Sequence, residues 1–390
     1  MRLIIIDDPE MLLGSFRSLT PVRGLTHGFY RYPARFSPQF AKAVILQFSK
    51  ENDCVLDAFM GGGTAVVEAV ASGRNALGID VNPLSPFITN VKTTPLSDRD
   101  QEAIISWVDK LDFENSWQGE LTSIDPRLKN MPNEARDTLA YAVSTASQLE
   151  FPRQRRFARC ALLKLGQWAI DCRKDIPSAN HMKAQFRKQV MDMMNGLNEL
   201  VKNAKSNGIP KNKITGKRML YLGTINEAIK NRKFARAFPR PKLVLTSPPY
   251  PGVHVLYHRW QVDGRRETPA PYWLAGLEDG HGESYYTLGG RSISGLRNYF
   301  VKLTDTFGAI RQFIDPDGLV VQMVAFSDPN EQLPSFMNAM SLAGFEELNL
   351  FGDSYSGHQS REVPNRKWYA YGEKKQCASN EILLFHRPYR

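Results

Sequence analysis

The chain has 390 residues, with 50 Lys plus Arg against 40 Asp plus Glu, a formal net charge of +10 and a hydrophobic fraction of 42%, enough for one large domain or two. No apolar run approaches a membrane span and no charged segment leads into a long apolar stretch, which excludes a membrane-spanning class and predicts a cytoplasmic protein. Cys54, Cys160, Cys172 and Cys377 show no Cys-x-x-Cys spacing, which excludes a disulfide framework and gives no sign of a metal.

Val55-Leu56-Asp57 reads as a buried strand running through Ala58-Phe59-Met60 into Gly61-Gly62-Gly63-Thr64, with a helix over Ala65 to Ala71. Glycines in that turn permit positive φ and let the backbone lie close to a ligand at a helix N-terminus. A second short strand, Ala76 to Asp80, ends on a carboxylate suited to both hydroxyls of a ribose. The turn is neither Gly-x-x-x-x-Gly-Lys-Ser/Thr nor a full Gly-x-Gly-x-x-Gly, which disfavours a nucleotide phosphate or a dinucleotide. A nucleoside carried without pyrophosphate is the ligand that remains, and a tight turn with no ligand is the plain alternative.

Between Phe151 and Arg218 there are 16 Lys plus Arg against 4 Asp plus Glu, so the positive charge is concentrated there. Phe157, Ala161, Leu165, Trp168 and Cys172 recur at spacings of three and four, as do Met182, Phe186, Val190, Met193 and Leu197, which predicts two amphipathic helices. The basic residues beside these stripes form either a solvated face or a phosphate-contacting surface, with Arg155, Arg156, Lys183 and Arg187 as candidate contacts to a nucleic-acid backbone. Lys202 to Arg218 reads as an exposed Lys-rich loop. The expected organisation is a first part over 1–95, a basic helical insertion over 96–218 that forms a DNA-binding or target-recognition region, and a second part over 219–390.

Leu243-Val244-Leu245 predicts a strand ending in Thr246-Ser247-Pro248-Pro249-Tyr250. The two prolines remove two backbone donors and fix φ at about −65°, which aims the Pro248 carbonyl and the Ser247 hydroxyl out of the strand end. A flat heterocycle stacked on Tyr250 would set its exocyclic NH2 against those acceptors and leave the nitrogen lone pair for an electrophile. An extended Pro-Pro linker is the plain alternative. The nucleoside site decides between them, because S-adenosylmethionine fits it and its sulfonium is such an electrophile. On this reading another aromatic residue at position 250 is tolerated.

Gly252 to Ser294 is rich in aromatics and shows no sustained period, so it is expected to be a long loop covering the base pocket, with Arg259 and Arg265 as candidate DNA contacts. Gly318 to Phe326 predicts a buried strand, Leu333 to Ala343 a helix closed by Gly344, and Glu381 to Phe385 a late strand paired with Lys367 to Tyr371. Arg361 and Arg366 are candidates for substrate phosphate or for surface salt bridges.

These motifs resemble the DNA amino-methyltransferases, and Ser-Pro-Pro-Tyr resembles the N4-cytosine branch. Asp57, Phe59, Gly61, Gly63 and Thr64 match the family's cofactor motif Asp-x-Phe-x-Gly-x-Gly-Thr, Asp80 its ribose-binding acid, and Ser247, Pro248, Pro249 and Tyr250 its catalytic tetrapeptide. The aromatic segment His27 to Pro38 matches a further element and makes Phe36 a cofactor contact. The resemblance implies an α/β fold with a Rossmann-like seven-stranded class I methyltransferase sheet, a reversed edge strand and a helical insertion. It implies S-adenosylmethionine as cofactor, no metal, double-stranded DNA as partner, and companion restriction or defence proteins in some settings. The implied reaction methylates N4 of a cytosine swung out of the duplex. N6-adenine methylation, RNA methylation and an inactive nucleic-acid-binding module remain as alternatives. Two features depart from the family: Tyr221-Leu222-Gly223-Thr224 stands where Gly-Asp often precedes the catalytic strand, and the insertion is long.

Overall fold

The computed structural model describes residues 6–389 apart from 21, 33–36, 115–124, 252–258, 263–265, 280–287, 291, 352–356 and 364–379. The described strands are β1 (Cys54–Asp57), β2 (Asn75–Asp80), β3 (Arg218–Leu222), β4 (Leu243–Thr246), β5 (Trp260–Val262), β6 (Arg266–Thr268), β7 (Leu319–Ala325), β8 (Phe345–Glu347), β9 (Gln359–Glu362) and β10 (Asn380–Pro388). Eight of them form one sheet in the order β3-β2-β1-β4-β7-β10-β8, with β9 also paired to β10. Pairing is parallel from β3 to β7, and β10 runs antiparallel to all its neighbours. The reversed strand is therefore not at the edge as expected, because β8 and β9 cover its far side. Lys367 to Tyr371, its expected partner, lies outside the described residues, and the partner seen is β9.

Strands β1, β4 and β7 are buried along their whole length, which is why they read as unbroken apolar runs rather than as alternation. Successive side chains still go to opposite layers. Val55, Leu243, Leu245, Val321 and Met323 face a core with α1 (Pro9–Arg17), α2 (Pro38–Phe48) and α3 (Thr64–Ala71). Leu56, Val244, Val320 and Val324 face the other core.

The insertion follows α4 (Leu84–Lys92) and contains α5 (Asp98–Lys110), α6 (Asn133–Ala146), α7 (Pro152–Ile170) and α8 (Ala179–Ser206). Pro152 starts α7 with a preset φ, and the Ser178 hydroxyl accepts from the His181 N–H to cap α8. The predicted stripes are buried at Phe157, Ala161, Leu165, Met182, Phe186, Val190, Met193 and Leu197, while Cys172 falls beyond the end of α7 with φ of 59°. Lys202 to Arg218 is not a loop. Helix α8 continues to Ser206, and a 3-10 turn over Lys211–Lys217 leads straight into β3 at Arg218. Buried Ala204, Ile209 and Ile214 anchor this stretch to the sheet core, an apolar signal hidden among the lysines.

The second part adds α9 (Ile225–Ala228), α10 (Arg232–Ala235), α11 (Ala270–Ala275), α12 (Ile293–Phe313) and α13 (Pro329–Leu342). Helices α9, α10, α12 and α13 pack on the second face of the sheet. The β5–β6 hairpin and α11 instead join the helical core, where Trp260 and Tyr272 are buried. Gly166 on α7 makes room for this, since a Cβ there would lie 2.6 Å from the Trp260 ring. These aromatics of the 252–294 segment are packing residues. Among the described residues no helix is long and apolar enough to cross a membrane.

Candidate active site

Parallel pairing of β1 with β2 and β4 brings their C-terminal ends to one edge of the sheet, so Asp57, Asp80 and Thr246 end there together. The Thr246 hydroxyl donates to Asp57 Oδ1 at 2.7 Å, and the Phe59 N–H donates to the same oxygen at 3.2 Å. Asp57 is almost fully buried, and burial pushes its carboxyl up to about 7 against the pull of those two hydrogen bonds.

The turn after β1 carries Gly61 at φ 46° and Gly63 at φ 73°, both in the region that favours glycine. A Cβ on Gly63 would lie 2.2 Å from Thr89 Oγ1 of α4, so this glycine is required by packing as well as by φ. Gly61 is covered by the Tyr32 ring, and its N–H donates to Asp80 Oδ2 at 2.8 Å. Asp80 Oδ1 accepts from the Asn82 N–H at 2.8 Å. Burial pushes the Asp80 carboxyl up to about 6, opposed by these backbone donors. Lys92 Nζ, buried, donates to the Gly62 carbonyl at 2.6 Å and fixes the turn from beneath, a contact that sequence spacing does not reveal.

A nucleoside-containing cofactor fits this set. Asp80 stands at the end of β2 with its two oxygens oriented by the Gly61 and Asn82 N–H groups, a carboxylate that a ribose hydroxyl could address. The Thr64 hydroxyl, at the first residue of α3, is buried with no hydrogen-bond partner among the described residues and offers a polar contact beside the turn. Phe59 is half-buried on the same turn. Phe36 lies outside the described residues.

The Thr246–Gln322 pairing sets β7 beside the Ser247–Tyr250 segment, and there the Ser247 hydroxyl donates to the Met323 carbonyl at 2.8 Å. The Tyr299 hydroxyl of α12 donates to the Pro249 carbonyl at 2.7 Å, and burial pushes that phenol above its usual range, keeping it a donor. The Tyr250 hydroxyl donates to Glu381 Oε1 at 2.9 Å. No hydrogen bond engages the Pro248 carbonyl among the described residues. Ser247 and Tyr250 are half-buried. Tyr299, Glu381 and Met323 are contributors that sequence reasoning missed.

The basic candidates are not gathered in the same way. Arg155 folds back onto the Leu149 and Glu150 carbonyls, Arg187 pairs with Asp109 at 2.9 Å, and Arg259 pairs with Asp279 at 3.1 Å. Arg156 is exposed and Lys183 half-buried, and neither is paired with a carboxylate among the described residues. Arg265 and Arg366 lie outside the described residues. Arg361 does not reach outward: its side chain is nearly buried and grips Glu381 Oε2 at 2.6 Å through Nη2.

The strand order, the interior reversed strand and the acid-ended β1 and β2 are those of a class I methyltransferase fold. Residues 15–84 match the N6/N4 methyltransferase family model described as DNA methylase. The chain is 40% identical over 94 residues to the type II methyltransferase M.MvaI of Kocuria varians, a match covering 23% of this chain and 20% of that protein. It is 35% identical over 66 residues to the type II methyltransferase M.MjaII of Methanocaldococcus jannaschii, covering 17% and 12%. The matches thus span a fifth or less of these relatives' own length. Among solved structures, TrmN from Thermus thermophilus overlays 90% of this chain and 49% of its own at 11% identity, with a TM-score of 0.31. The likeness to DNA amino-methyltransferases thus rests on one N-terminal segment, which holds the strand β1, the glycine turn and the strand β2.

Proposed function

We propose that the protein is a site-specific DNA methyltransferase acting on the exocyclic amine of cytosine, N4. N6 of adenine is the alternative that the same geometry serves. The observation that carries this reading is the Ser247 hydroxyl: its proton is donated to the Met323 carbonyl at 2.8 Å, so its oxygen lone pairs are left as acceptors. With the Pro248 carbonyl it forms two acceptors at a strand end, the arrangement an amine with two hydrogens requires.

Bound S-adenosylmethionine supplies an electrophilic methyl group on a sulfonium. Asp80 would accept the ribose hydroxyls, and Asp57, Phe59, Gly61, Gly63 and Thr64 would shape the turn around the rest of the cofactor. Asp57 reaches the catalytic loop through Thr246, so the two halves of the site share one hydrogen bond. A target base leaves the stack at a cost of about a few kcal/mol and is held on the Tyr250 ring. Ser247 and Pro248 accept the amine hydrogens as the nitrogen becomes tetrahedral, a demand strongest in the transition state.

Arg156 and Lys183 serve as the phosphate contacts, since Arg155, Arg187 and Arg259 already hold partners within the chain. The type II names of the relatives fit a modification enzyme working beside a companion restriction protein. The test is transfer of a labelled methyl group from S-adenosylmethionine to duplex DNA, RNA and protein offered in parallel. Label confined to DNA is expected, and label confined to RNA or protein would overturn the substrate assignment.

A further inference from the structure

Glu381 stands on β10, 131 residues from the tetrapeptide, and is almost fully buried. One of its oxygens accepts the Tyr250 hydroxyl at 2.9 Å. The other accepts Arg361 Nε at 2.8 Å and Nη2 at 2.6 Å. Arg361 is its cross-strand neighbour on β9, and its Nη1 donates to the Phe16 carbonyl at 2.6 Å while the guanidinium lies 5.3 Å from the Phe16 ring centroid. The carboxylate is therefore compensated and fixed before it meets Tyr250.

We propose that Glu381 is the positioning residue for Tyr250, with Arg361 holding Glu381 in place. The inference rests on the reading of Tyr250 as the platform for the target base. A tyrosine side chain turns about two torsions, and a platform that turns presents the base amine at varying angles to the methyl donor. Here the residue is held at both ends: Tyr299 grips the Pro249 carbonyl just before it, and Glu381 grips the hydroxyl beyond the ring. The plane of the ring is set by the C-terminal strands. The paired strands β9 and β10 are thus part of the catalytic apparatus, although neither residue touches the base.

A double-mutant cycle tests this. Glu381→Gln is expected to lower kcat on DNA about tenfold and to leave cofactor affinity unchanged, which a general loss of structure would not do. Tyr250→Phe should lower kcat by at least a similar factor, and the double variant should be no slower than Tyr250→Phe alone, because without the hydroxyl the weakened acceptor at position 381 has nothing left to hold. If the two losses multiply, Glu381 does not act through the Tyr250 hydroxyl and the proposal is overturned. Should Glu381→Gln fail to fold, Arg361→Lys replaces it in the same cycle. A fluorinated tyrosine at position 250, followed by fluorine NMR, reads the tie without turnover: its resonance should move on Glu381→Gln, and an unmoved resonance overturns the proposal. A wild-type protein that methylates no DNA while this resonance does move would remove the functional reading and leave the tie standing.

Discussion

Thr246 Oγ1 donates to Asp57 Oδ1 at 2.7 Å, so the last residue of β4 is bonded to the last residue of β1. The bond is buried, and it fixes the spacing between the turn that would hold the methyl donor and the loop that would hold the acceptor. Burial raises the Asp57 carboxyl from its ordinary 3.8 to about 7.

That shift has a sign for stability. The folded state holds the Asp57 proton up to about pH 7, whereas the unfolded chain releases it near 3.8, so this group makes stability fall as pH rises between the two. Asp57→Asn keeps an acceptor for Thr246 and cannot ionise. Urea unfolding of the cofactor-free protein should show the variant gaining on wild type across that window. Curves that stay parallel from pH 4 to pH 7 would assign Asp57 an ordinary carboxyl.

Asp80 predicts a pH dependence of binding. Its carboxyl is raised to about 6, and the ionised form is the better acceptor for ribose hydroxyls, so cofactor affinity should weaken as pH falls through about 6. Asp80→Asn should bind ten- to a hundredfold less tightly, about the worth of charge-assisted hydrogen bonds, with little pH dependence left. Calorimetric titrations at several pH values check both. Equal affinity in wild type and variant would remove Asp80 from the ribose site.

In the tetrapeptide, Ser247→Ala should lower kcat by roughly ten- to a hundredfold with little change in DNA affinity, because it deletes an acceptor needed as the amine rehybridises. Tyr250→Ala should abolish turnover while cofactor still binds. The tie to Glu381 revises the sequence expectation for Tyr250→Phe: the ring survives, its anchor is lost, and activity falls rather than persists. Steady-state kinetics on duplex DNA separates these cases, and normal turnover in both alanine variants would reduce the motif to a rigid turn.

The basic helices give a fourth expectation. Replacing Arg156 and Lys183 with Gln should reduce the salt slope of DNA binding by about two, roughly one per phosphate contact. Replacing Arg187 should leave the slope alone, since Asp109 already neutralises it. Fluorescence anisotropy over a range of salt concentrations measures both. An unchanged slope in the double variant would make Arg156 and Lys183 a solvated face.

The cofactor half was legible because its signals are local: an apolar run, a glycine turn, an eight-residue helix and an acid-ended strand follow one another within residues 54–80. The partners of the Ser247–Tyr250 segment were not, because they come from 50 to 131 residues away and look like ordinary core positions in their own strands and helix. Charge counting over Phe151 to Arg218 overstated the free cations, since Asp100 and Asp109 of α5, which pair with Arg153 and Arg187, lie outside that window. The aromatic stretch showed no period because β5, β6 and α11 are three to six residues long. Trp260 and Tyr272 belong to a core most of whose members lie between Phe29 and Leu200.

The most direct measurement is mass spectrometry of the nucleosides released from DNA after incubation with the protein and S-adenosylmethionine. N4-methylcytosine is expected, and it should be missing from DNA treated with Ser247→Ala at matched short times. DNA that carries only N6-methyladenine, or no new methyl group at all, would contradict the assignment of cytosine N4 as the acceptor.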